Sequence, residues 1–397
     1  MSGELRGACI FGQSGGPTAV INASAYGVLK TALESDAITN VYGAAHGIRG
    51  VLDDRLYDIG QEDPGELRLL LHTPSSELGS CRYKMADPDV DDTDYRRILE
   101  IFQKYNVRYF FYNGGNDSMD TCNKISRYMQ AHDWNCRVMG VPKTIDNDLC
   151  LTDHTPGFGS AAKYIATTLQ EIAYDTSIYP LPSVTIVEIM GRDAGWLTGA
   201  ATLARTDYGL GPDLIYLPET AFDTERFLED VKEIMQKKPN VLIAISEGIR
   251  DKDGKYISAS TKTLDSFGHS QLSGAGKTLE TLIAHRLGIK VRSIELNLPQ
   301  RCAAHLSSLT DIEESKELGR TAVAHALKGA SGYMSIIRRE SNQPYRVSYD
   351  IADISLIANE VRSVPRDFIN ASGNNVTEKM AEYLRPIIVG QPSLTYE

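Results

Sequence analysis

The sequence predicts an α/β protein with a mostly parallel sheet that is covered by helices on both faces. Two observations lead to this fold class. Apolar, β-rich segments alternate with segments of helical period for most of the length, and polar loops directly follow several predicted strands. With 397 residues, of which 42% are hydrophobic, the chain is long enough for about two domains.

The predicted elements alternate regularly along the chain. In order, they are strand 7–11, glycine-rich turn 12–18, helix 19–33, helix 94–105, strand 108–112, loop 113–118, strand 137–141, loop 142–148, strand 184–190, strand 241–246 and helix 279–286. Ligands of open α/β sheets bind outside the carboxyl ends of the strands. The polar loops after these strands are therefore the expected position of a functional site.

Composition and charge exclude several classes of protein. The net charge of −11 and the pI near 5.3, with no run of Lys or Arg, argue against a nucleic-acid partner. No apolar run approaches the ~20 residues that a membrane span needs, and the N-terminus has no signal-like apolar region. We therefore expect a cytoplasmic protein with no membrane partner.

Two glycine-rich segments could bind phosphate. In residues 12–16, glycines would let backbone N–H groups approach an anion at a helix N-terminus, although a tight turn without a ligand explains the same pattern. Residues 274–278 are similar to the end of a P-loop, but Gln271 stands where that motif requires its first glycine. We interpret this second segment as a turn that leads into a helix.

The loop 113–118 contains Gly114 and Gly115 at a strand end, followed by Asp117 and Ser118. This arrangement suits the close approach of a polyphosphate and its metal. The structural alternative is that Asp117 or Ser118 caps the following helix, which we predict to extend through Tyr128. Both roles can hold together, because a capping residue at a strand's carboxyl end still faces the crevice.

The most informative loop is 142–148, in which Lys143 precedes two carboxylates, Asp146 and Asp148. Transfer of a phosphoryl group to a hydroxyl needs a carboxylate base, a cation for transition-state charge and a carboxylate for a metal. A solvated loop with an Asx-turn is the structural alternative. The loop predicts phosphoryl transfer, with one of its two carboxylates as the base.

Four separated segments resemble the signature segments of the phosphofructokinase family, in the same order and at compatible spacing. They are residues 114–118, 142–148, 190–192 and 246–248. The resemblance extends from Ala8 to about Val323. The glycine pair followed by Asp117, together with Lys143, resembles the pyrophosphate-dependent branch, whereas ATP-dependent members usually have glycine at both positions.

Asp117 and Lys143 also have a physical interpretation as determinants of the phosphoryl donor. A carboxylate at 117 would put negative charge and bulk where the α-phosphate of ATP would lie, and repulsion in a low-dielectric cleft disfavours ATP. Lys143 would lie opposite the charge that spreads over the transferring phosphoryl group. Pyrophosphate then suffices as the donor.

The resemblance implies roles for individual residues. The catalytic residues would be Asp146, as base at the C1 hydroxyl of fructose 6-phosphate, with Lys143, Asp117 and Arg192. The donor phosphates would be bound by Gly15, Arg82, Gly115 and Ser118. The sugar phosphate would be bound by Thr144, Ile145, Asp146, Met190, Gly191, Arg192, Glu247, Arg292, Leu298 and Arg301. A Mg²⁺ cofactor would be held by Asn116, Asp117 and Asp148.

Four positions depart from the family's pattern. Asn116 stands where many relatives have a metal-binding aspartate, and a neutral amide is a poorer magnesium ligand than a carboxylate. Leu298 replaces a frequent sugar-phosphate histidine, and Ser183 replaces an arginine from the partner subunit. Tyr26 replaces an effector-binding arginine of allosteric bacterial relatives, so we expect weak regulation or none.

The resemblance also implies an architecture of two Rossmann-like, three-layer domains with the active site in the cleft between them. We expect residues 1–159, with about 300–350, to form the donor-binding domain. Residues 160–299, with about 351–397, would form the sugar-phosphate domain. Because Arg292 is expected to reach a neighbouring subunit's site, a homodimer or homotetramer follows.

The implied reaction is the reversible transfer of a phosphoryl group from pyrophosphate to fructose 6-phosphate, giving fructose 1,6-bisphosphate and orthophosphate in glycolysis and gluconeogenesis. An ATP-dependent 6-phosphofructokinase is the first alternative. A NAD or lipid kinase shares the glycine-glycine-aspartate loop but gives no reason for loop 142–148. A non-catalytic sugar-phosphate sensor is a further alternative, against which the retention of Asp146, Lys143 and Arg192 argues.

Overall fold

The computed structural model describes residues 5–207, 209–257 and 274–390 of the chain. Its strands are β1 (Gly7–Gln13), β2 (Ile38–Ala44), β3 (Leu56–Asp58), β4 (Val107–Gly114), β5 (Arg137–Pro142), β6 (Ser183–Ile189), β7 (Leu214–Tyr216), β8 (Asn240–Ser246), β9 (Lys290–Glu295), β10 (Tyr333–Asn342) and β11 (Tyr345–Asp353). Its α-helices are α1 (Ile21–Leu33), α2 (Ile48–Leu52), α3 (Pro64–Leu69), α4 (Thr93–Lys104), α5 (Asn116–Ala131), α6 (Phe158–Ser177), α7 (Trp196–Gly199), α8 (Thr224–Met235), α9 (Ala275–Leu287), α10 (Pro299–Cys302), α11 (Leu309–Leu327) and α12 (Glu378–Leu384).

The strands form two separate sheets. The larger sheet has seven strands in the order β11-β10-β5-β4-β1-β2-β3. Its inner strands are parallel, whereas the edge strands β3 and β11 run antiparallel to their neighbours. The smaller sheet has four strands in the order β7-β8-β6-β9, all parallel.

Each sheet lies between two helical layers. Side chains alternate between the two faces of a strand, and here the side chains on each face are apolar and pack against helices. In β1, Ile10 belongs to the apolar cluster with α4 and α5, and the next residue, Phe11, belongs to the cluster with α1 and α11. In β6, Ile186 packs with α8 and α9, whereas Val187 packs with α6. Burial on both faces explains why these strands are nearly continuous apolar runs.

The predicted α/β class is confirmed, with two mostly parallel sheets that each form the middle of three layers. The predicted elements also form, with ends that shift by a few residues. The assignment of chain segments to two functional domains stays a prediction, and parts of its ranges, 1–4, 208, 258–273 and 391–397, lie outside the described residues. Of the helices in the described ranges, none is long and apolar enough to cross a membrane.

Candidate active site

A cleft of about 390 Å³ lies at the carboxyl ends of β1, β4 and β5 of the larger sheet and of β6 and β8 of the smaller sheet. Many of the predicted site residues line it. They are Gly15, Arg82, Gly115, Asn116, Asp117, Ser118, Lys143, Thr144, Asp146, Asp148, Arg192 and Glu247. Loops far apart in sequence thus meet in one cleft, as expected where strand ends converge.

The chain needs glycine near the carboxyl ends of β1 and β4 for two different reasons. Gly15 has a φ of 76°, a conformation that side chains rarely adopt. At Gly114 a Cβ atom would lie 2.0 Å from Ser118 Oγ, so a side chain does not fit. Next to Gly15, a Cβ at Gly16 would lie 2.9 Å from the Arg301 guanidinium. Bare backbone beside a cation is a suitable surface for an anion.

The N-terminus of α5 differs from the capping alternative predicted for Asp117 and Ser118. Gly115 is the N-cap residue, no side chain makes a capping hydrogen bond, and the helix begins at Asn116. The prediction that Asp117 or Ser118 is the cap was therefore wrong, because the helix starts earlier and includes both residues. Asp117 instead lies in the first turn, where the helix dipole favours a negative charge, and it lines the cleft.

Lys143 is a buried lysine that follows β5 and reaches the loop after β1. Its side chain is only 3% exposed, and its Nζ donates a hydrogen bond of 2.7 Å to the carbonyl of Gly16. Burial lowers the pKa of Lys143 to about 7, although the Asp146 carboxylate favours the charged form. A buried ammonium of this kind gains most when an anion enters the cleft.

Asp146 and Asp148 share the loop after β5. Burial raises the pKa of Asp146, while Arg192 and Lys143 oppose the rise. The pKa of Asp148 is raised to about 7, first by burial and then by the negative charge of Asp146. Between them, Asn147 has a φ of 55° and a fully buried side chain, whose Nδ2 donates to the Tyr383 hydroxyl at 2.9 Å. This inward turn leaves both carboxylates in the cleft.

The wall on the smaller sheet is built from the loops after β6 and β8. Gly191 has a φ of 131°, and its N–H donates to Glu247 Oε1 at 3.3 Å. Burial, followed by the charge of Asp146, raises the pKa of Glu247 to about 7. Arg192 Nε is buried without a hydrogen-bond partner. Since buried polar groups normally have partners, this nitrogen is available to a bound ligand.

Several predicted site residues do not line the cleft of a single chain. Ile145 is buried in the core, and the Met190 N–H donates to Gln300 Oε1 at 3.1 Å. Arg292 is exposed on β9, and Leu298 is 52% exposed. Arg301 lies beside Gly16, whereas Arg292 lines a separate pocket with Asp175 and Tyr179. Their joint contact with a sugar phosphate stays a prediction.

Sequence reasoning missed one segment of the cleft. Asn359 and Val361 line it, and the carbonyl of Glu360 accepts a 2.7 Å hydrogen bond from Asn116 Nδ2. Asn359 has a φ of 67°, a conformation in which asparagine is enriched. An isolated Asn is too common to signal such a turn, and 244 positions separate Asn116 from Glu360. Further lining residues are Gly16, which lies in the predicted turn 12–18, and Asp193 and Ala194, which directly follow segment 190–192.

The P-loop-like segment 274–278 was predicted as a turn before a helix, but it forms the start of α9 itself, with Gly274 as the N-cap residue. Gly276 N–H donates to Glu188 Oε2 at 2.7 Å, so a carboxylate of the chain occupies the N-terminus of α9. Gln271, on which the sequence argument also rested, lies outside the described residues.

The residues that line the cleft fit a hard divalent cation. Asn116 Oδ1 is buried without a hydrogen-bond partner, and the carboxylates of Asp117 and Asp148 line the same cleft. The described ranges contain no cluster of three or more His, Cys, Asp or Glu that could enclose a metal. Mg²⁺ needs no such cluster, because it is usually bound through one or two carboxylates together with substrate phosphates and water.

Comparison with known proteins agrees with this geometry. The sequence model of the family described as phosphofructokinase matches residues 9–296. A pyrophosphate–fructose 6-phosphate 1-phosphotransferase of Methylococcus capsulatus is 42% identical over 96% of this chain and 91% of its own length. A relative of the same name from Halomonas elongata is 41% identical over 98% of this chain and 93% of its own.

A solved structure extends the similarity to three dimensions. The crystal structure of a pyrophosphate-dependent phosphofructokinase from Nitrosospira multiformis matches with a TM-score of 0.89 at 36% identity, covering 98% of this chain and 94% of the other. The match therefore includes both sheets and the cleft between them. This chain belongs to the phosphofructokinase family.

Proposed function

We propose that this protein reversibly transfers a phosphoryl group from pyrophosphate to the C1 hydroxyl of fructose 6-phosphate, giving fructose 1,6-bisphosphate and orthophosphate. The names of its full-length relatives support this reaction. The observation that carries the choice of donor is the buried Lys143 ammonium, which shares a cleft with Asp117 and with the base, Asp146. Glycolysis and gluconeogenesis in the cytoplasm are the expected setting.

Asp146 is the general base of the proposed mechanism. It accepts the proton of the C1 hydroxyl while the hydroxyl oxygen bonds to one phosphorus of pyrophosphate, and the bridging P–O bond breaks to release orthophosphate. Arg192 and Lys143 favour the charged carboxylate that this role requires, against the effect of burial on its pKa. A positioned base of this kind contributes ~10²–10⁴-fold to the rate.

The donor would be held by the wall on the larger sheet. Gly15, Gly115 and Ser118 supply backbone and hydroxyl groups, and Arg82 and Lys143 supply positive charge. Asp117 would meet the α-phosphate of a nucleotide with like charge, which disfavours ATP. Pyrophosphate has only two phosphates, so no part of it would occupy the position of the α-phosphate, and this repulsion does not occur.

A Mg²⁺ ion would be held by Asp117, Asp148 and the Asn116 amide oxygen. When bound, it would offset negative charge on the pyrophosphate oxygens. Asp148, whose pKa is about 7, would be protonated less often beside a cation. The chain's own ammonium, Lys143, supplies positive charge on the opposite side of the donor.

The sugar phosphate would be held mainly by the smaller sheet. The proposed contacts are Thr144, Ile145, Met190, Gly191, Arg192, Glu247, Leu298 and Arg301. Arg292, which is exposed on this chain, would serve a neighbouring subunit's site in a homodimer or homotetramer. We propose donor binding by residues 1–159 with about 300–350, and sugar-phosphate binding by 160–299 with about 351–397, of which segment 359–361 reaches the donor side at Asn116.

An aldolase-coupled assay on the purified protein tests the donor. Initial rates are measured with pyrophosphate or ATP at matched Mg²⁺, and we expect the higher kcat/KM with pyrophosphate. A higher kcat/KM with ATP would refute the donor assignment. Absence of turnover with either donor would favour the sugar-phosphate sensor.

The double variant Asp117→Gly with Lys143→Gly tests the physical basis of donor choice. Loss of the ammonium should raise the barrier with pyrophosphate by ~3–4 kcal/mol, the size of an oxyanion-type contact. Unchanged kinetics with pyrophosphate would contradict the proposed roles of Asp117 and Lys143 in the choice of donor. The exposed pair Glu225→Gly with Arg286→Gly, on the far surface, is a control for introducing two glycines.

A further inference from the structure

We infer that the surface segment 359–361, here called the strap, positions the donor end of the cleft and requires asparagine rather than aspartate at position 116. The inference rests on the proposed function, because Asn116 would face the donor and its metal. Two strap residues, Asn359 and Val361, line the cleft. The strap therefore belongs to the site rather than to a remote surface loop.

The strap connects the two loops that carry the proposed chemistry. Its central carbonyl, of Glu360, accepts a hydrogen bond from Asn116 Nδ2 at 2.7 Å. Asn359 Nδ2 donates to Asp120 Oδ1, one turn further along α5, at 3.3 Å. Directly after the strap, the N–H of Arg362 donates to the carbonyl of Asp148 at 2.8 Å. The strap thus joins the N-terminus of α5 to the loop of the base.

The hydrogen bond to Glu360 fixes which end of the Asn116 amide faces the strap. A carbonyl oxygen only accepts hydrogen bonds, so the NH₂ group must point to it. The remaining polar atom, Oδ1, is buried and has no partner. An orphaned buried acceptor in a cleft lined by Asp117, Lys143 and Asp148 is explained if a cation or a donor-bound water completes it.

The same geometry explains why aspartate does not fit at position 116. Aspartate at 116 would set a carboxylate oxygen against the Glu360 carbonyl, and neither oxygen can donate. It would also add a third negative charge beside Asp117 and Asp148. Aspartate is therefore incompatible with the strap, whereas asparagine both holds the strap and keeps an oxygen for the ligand.

Amide hydrogen exchange on the metal-free, substrate-free protein tests the strap directly. The variants are Asn116→Asp and Asn116→Ala, and the control is Asn123→Asp, which makes the same charge change on α5 but outside the cleft. Loss of the Glu360 contact should loosen the bond between Arg362 N–H and Asp148. We expect about tenfold faster exchange across residues 360–363 in both Asn116 variants and no change in the control.

Kinetics and binding test the preference for asparagine. In Asn116→Asp we expect kcat/KM for pyrophosphate to fall about tenfold, and the Kd for imidodiphosphate with Mn²⁺ to rise by a similar factor. Unchanged exchange at residues 360–363, or a higher kcat/KM for pyrophosphate in Asn116→Asp, would overturn the inference. If the unmodified chain does not turn over pyrophosphate, the proposed function fails, while exchange in the metal-free protein still decides on the strap.

Discussion

The two walls of the cleft differ in how completely one chain builds them. On the larger sheet, the proposed donor groups Gly15, Gly115, Asp117 and Lys143 all line the cleft. On the smaller sheet, Arg192 and Glu247 line it, but the predicted contacts Arg292 and Leu298 are exposed elsewhere. We call the first set of residues the donor wall and the second set the acceptor wall. The four named donor groups thus lie in the cleft of one chain, and we propose that a bound substrate or a neighbouring subunit completes the acceptor wall.

The walls also differ in their electrostatics. The donor wall contains a buried ammonium whose pKa falls to about 7, because burial outweighs the attraction of Asp146. In the acceptor wall, burial raises the pKa of Glu247 to about 7, and Arg192 Nε has no hydrogen-bond partner. Each wall therefore holds a group whose charge or hydrogen-bonding capacity the protein alone satisfies poorly. Such groups favour ligand binding at the expense of stability.

Asp146 lies between the walls, so its loss should affect phosphoryl transfer itself rather than the binding of either substrate. In Asp146→Asn we expect kcat to fall ~10²–10⁴-fold, because no base remains for the C1 hydroxyl. The KM values for both substrates should change little, since the amide keeps the shape of the carboxylate. Steady-state kinetics measures both, with the exposed Asp133→Asn as the control. A kcat near that of the unmodified protein would show that another group is the base.

Lys143→Met would separate the donor wall from the acceptor wall. We expect kcat/KM for pyrophosphate to fall ~10²–10³-fold, as when one preorganised donor to a developing anion is removed. Binding of fructose 6-phosphate alone, measured by calorimetry, should persist. Equal losses for both substrates would contradict the assignment of Lys143 to the donor. Lys163→Met is a matched control, because that lysine also donates to backbone carbonyls but outside the cleft.

Lys143→Met should also be more stable than the unmodified chain. The folded-state pKa of Lys143, about 7, lies below the ordinary value of 10.5, so the unfolded chain binds the proton more tightly. The cost is greatest below pH 7 and diminishes as pH rises toward 10.5. The gain in unfolding free energy of Lys143→Met should therefore be larger at pH 6 than at pH 9. Urea unfolding at both values tests this order.

The sequence predicted the donor wall better than the rest of the site. Short motifs at strand ends, such as residues 142–148, carry their chemistry locally, and buried strands of a parallel sheet have a strong apolar signal. The N-cap of α5 was mispredicted because Gly115 can take the cap conformation without a side-chain oxygen. The strap could not be predicted, because its contact with Asn116 is formed only by the tertiary fold.

Arg192→Met would test the acceptor wall alone. Removal of a charged hydrogen-bonding group should raise the KM for fructose 6-phosphate about 10- to 100-fold, consistent with ~1.5–3 kcal/mol for such a bond. The Kd for imidodiphosphate should stay within about twofold, because the proposed donor contacts do not include this residue. Arg286→Met, on the exposed surface of α9, controls for the charge change. A parallel loss of donor affinity would mean that the walls are not independent.

The smallest expected effect is a proton taken up by the donor wall on binding. At pH 8 the empty cleft holds Lys143 largely neutral, because its pKa is about 7. An anionic donor favours the ammonium, so binding should take up as much as about one proton at pH 8 and almost none at pH 6.

Calorimetry of imidodiphosphate without metal, in two buffers of different ionisation enthalpy, measures this uptake. Lys143→Arg is the reference, because arginine stays charged at both pH values and the difference cancels protonation of the ligand and of Asp148. We expect the difference between the two proteins to be present at pH 8 and absent at pH 6. Equal uptake by both proteins at pH 8 would mean that Lys143 is already charged in the empty cleft, and the electrostatic contrast between the walls would disappear.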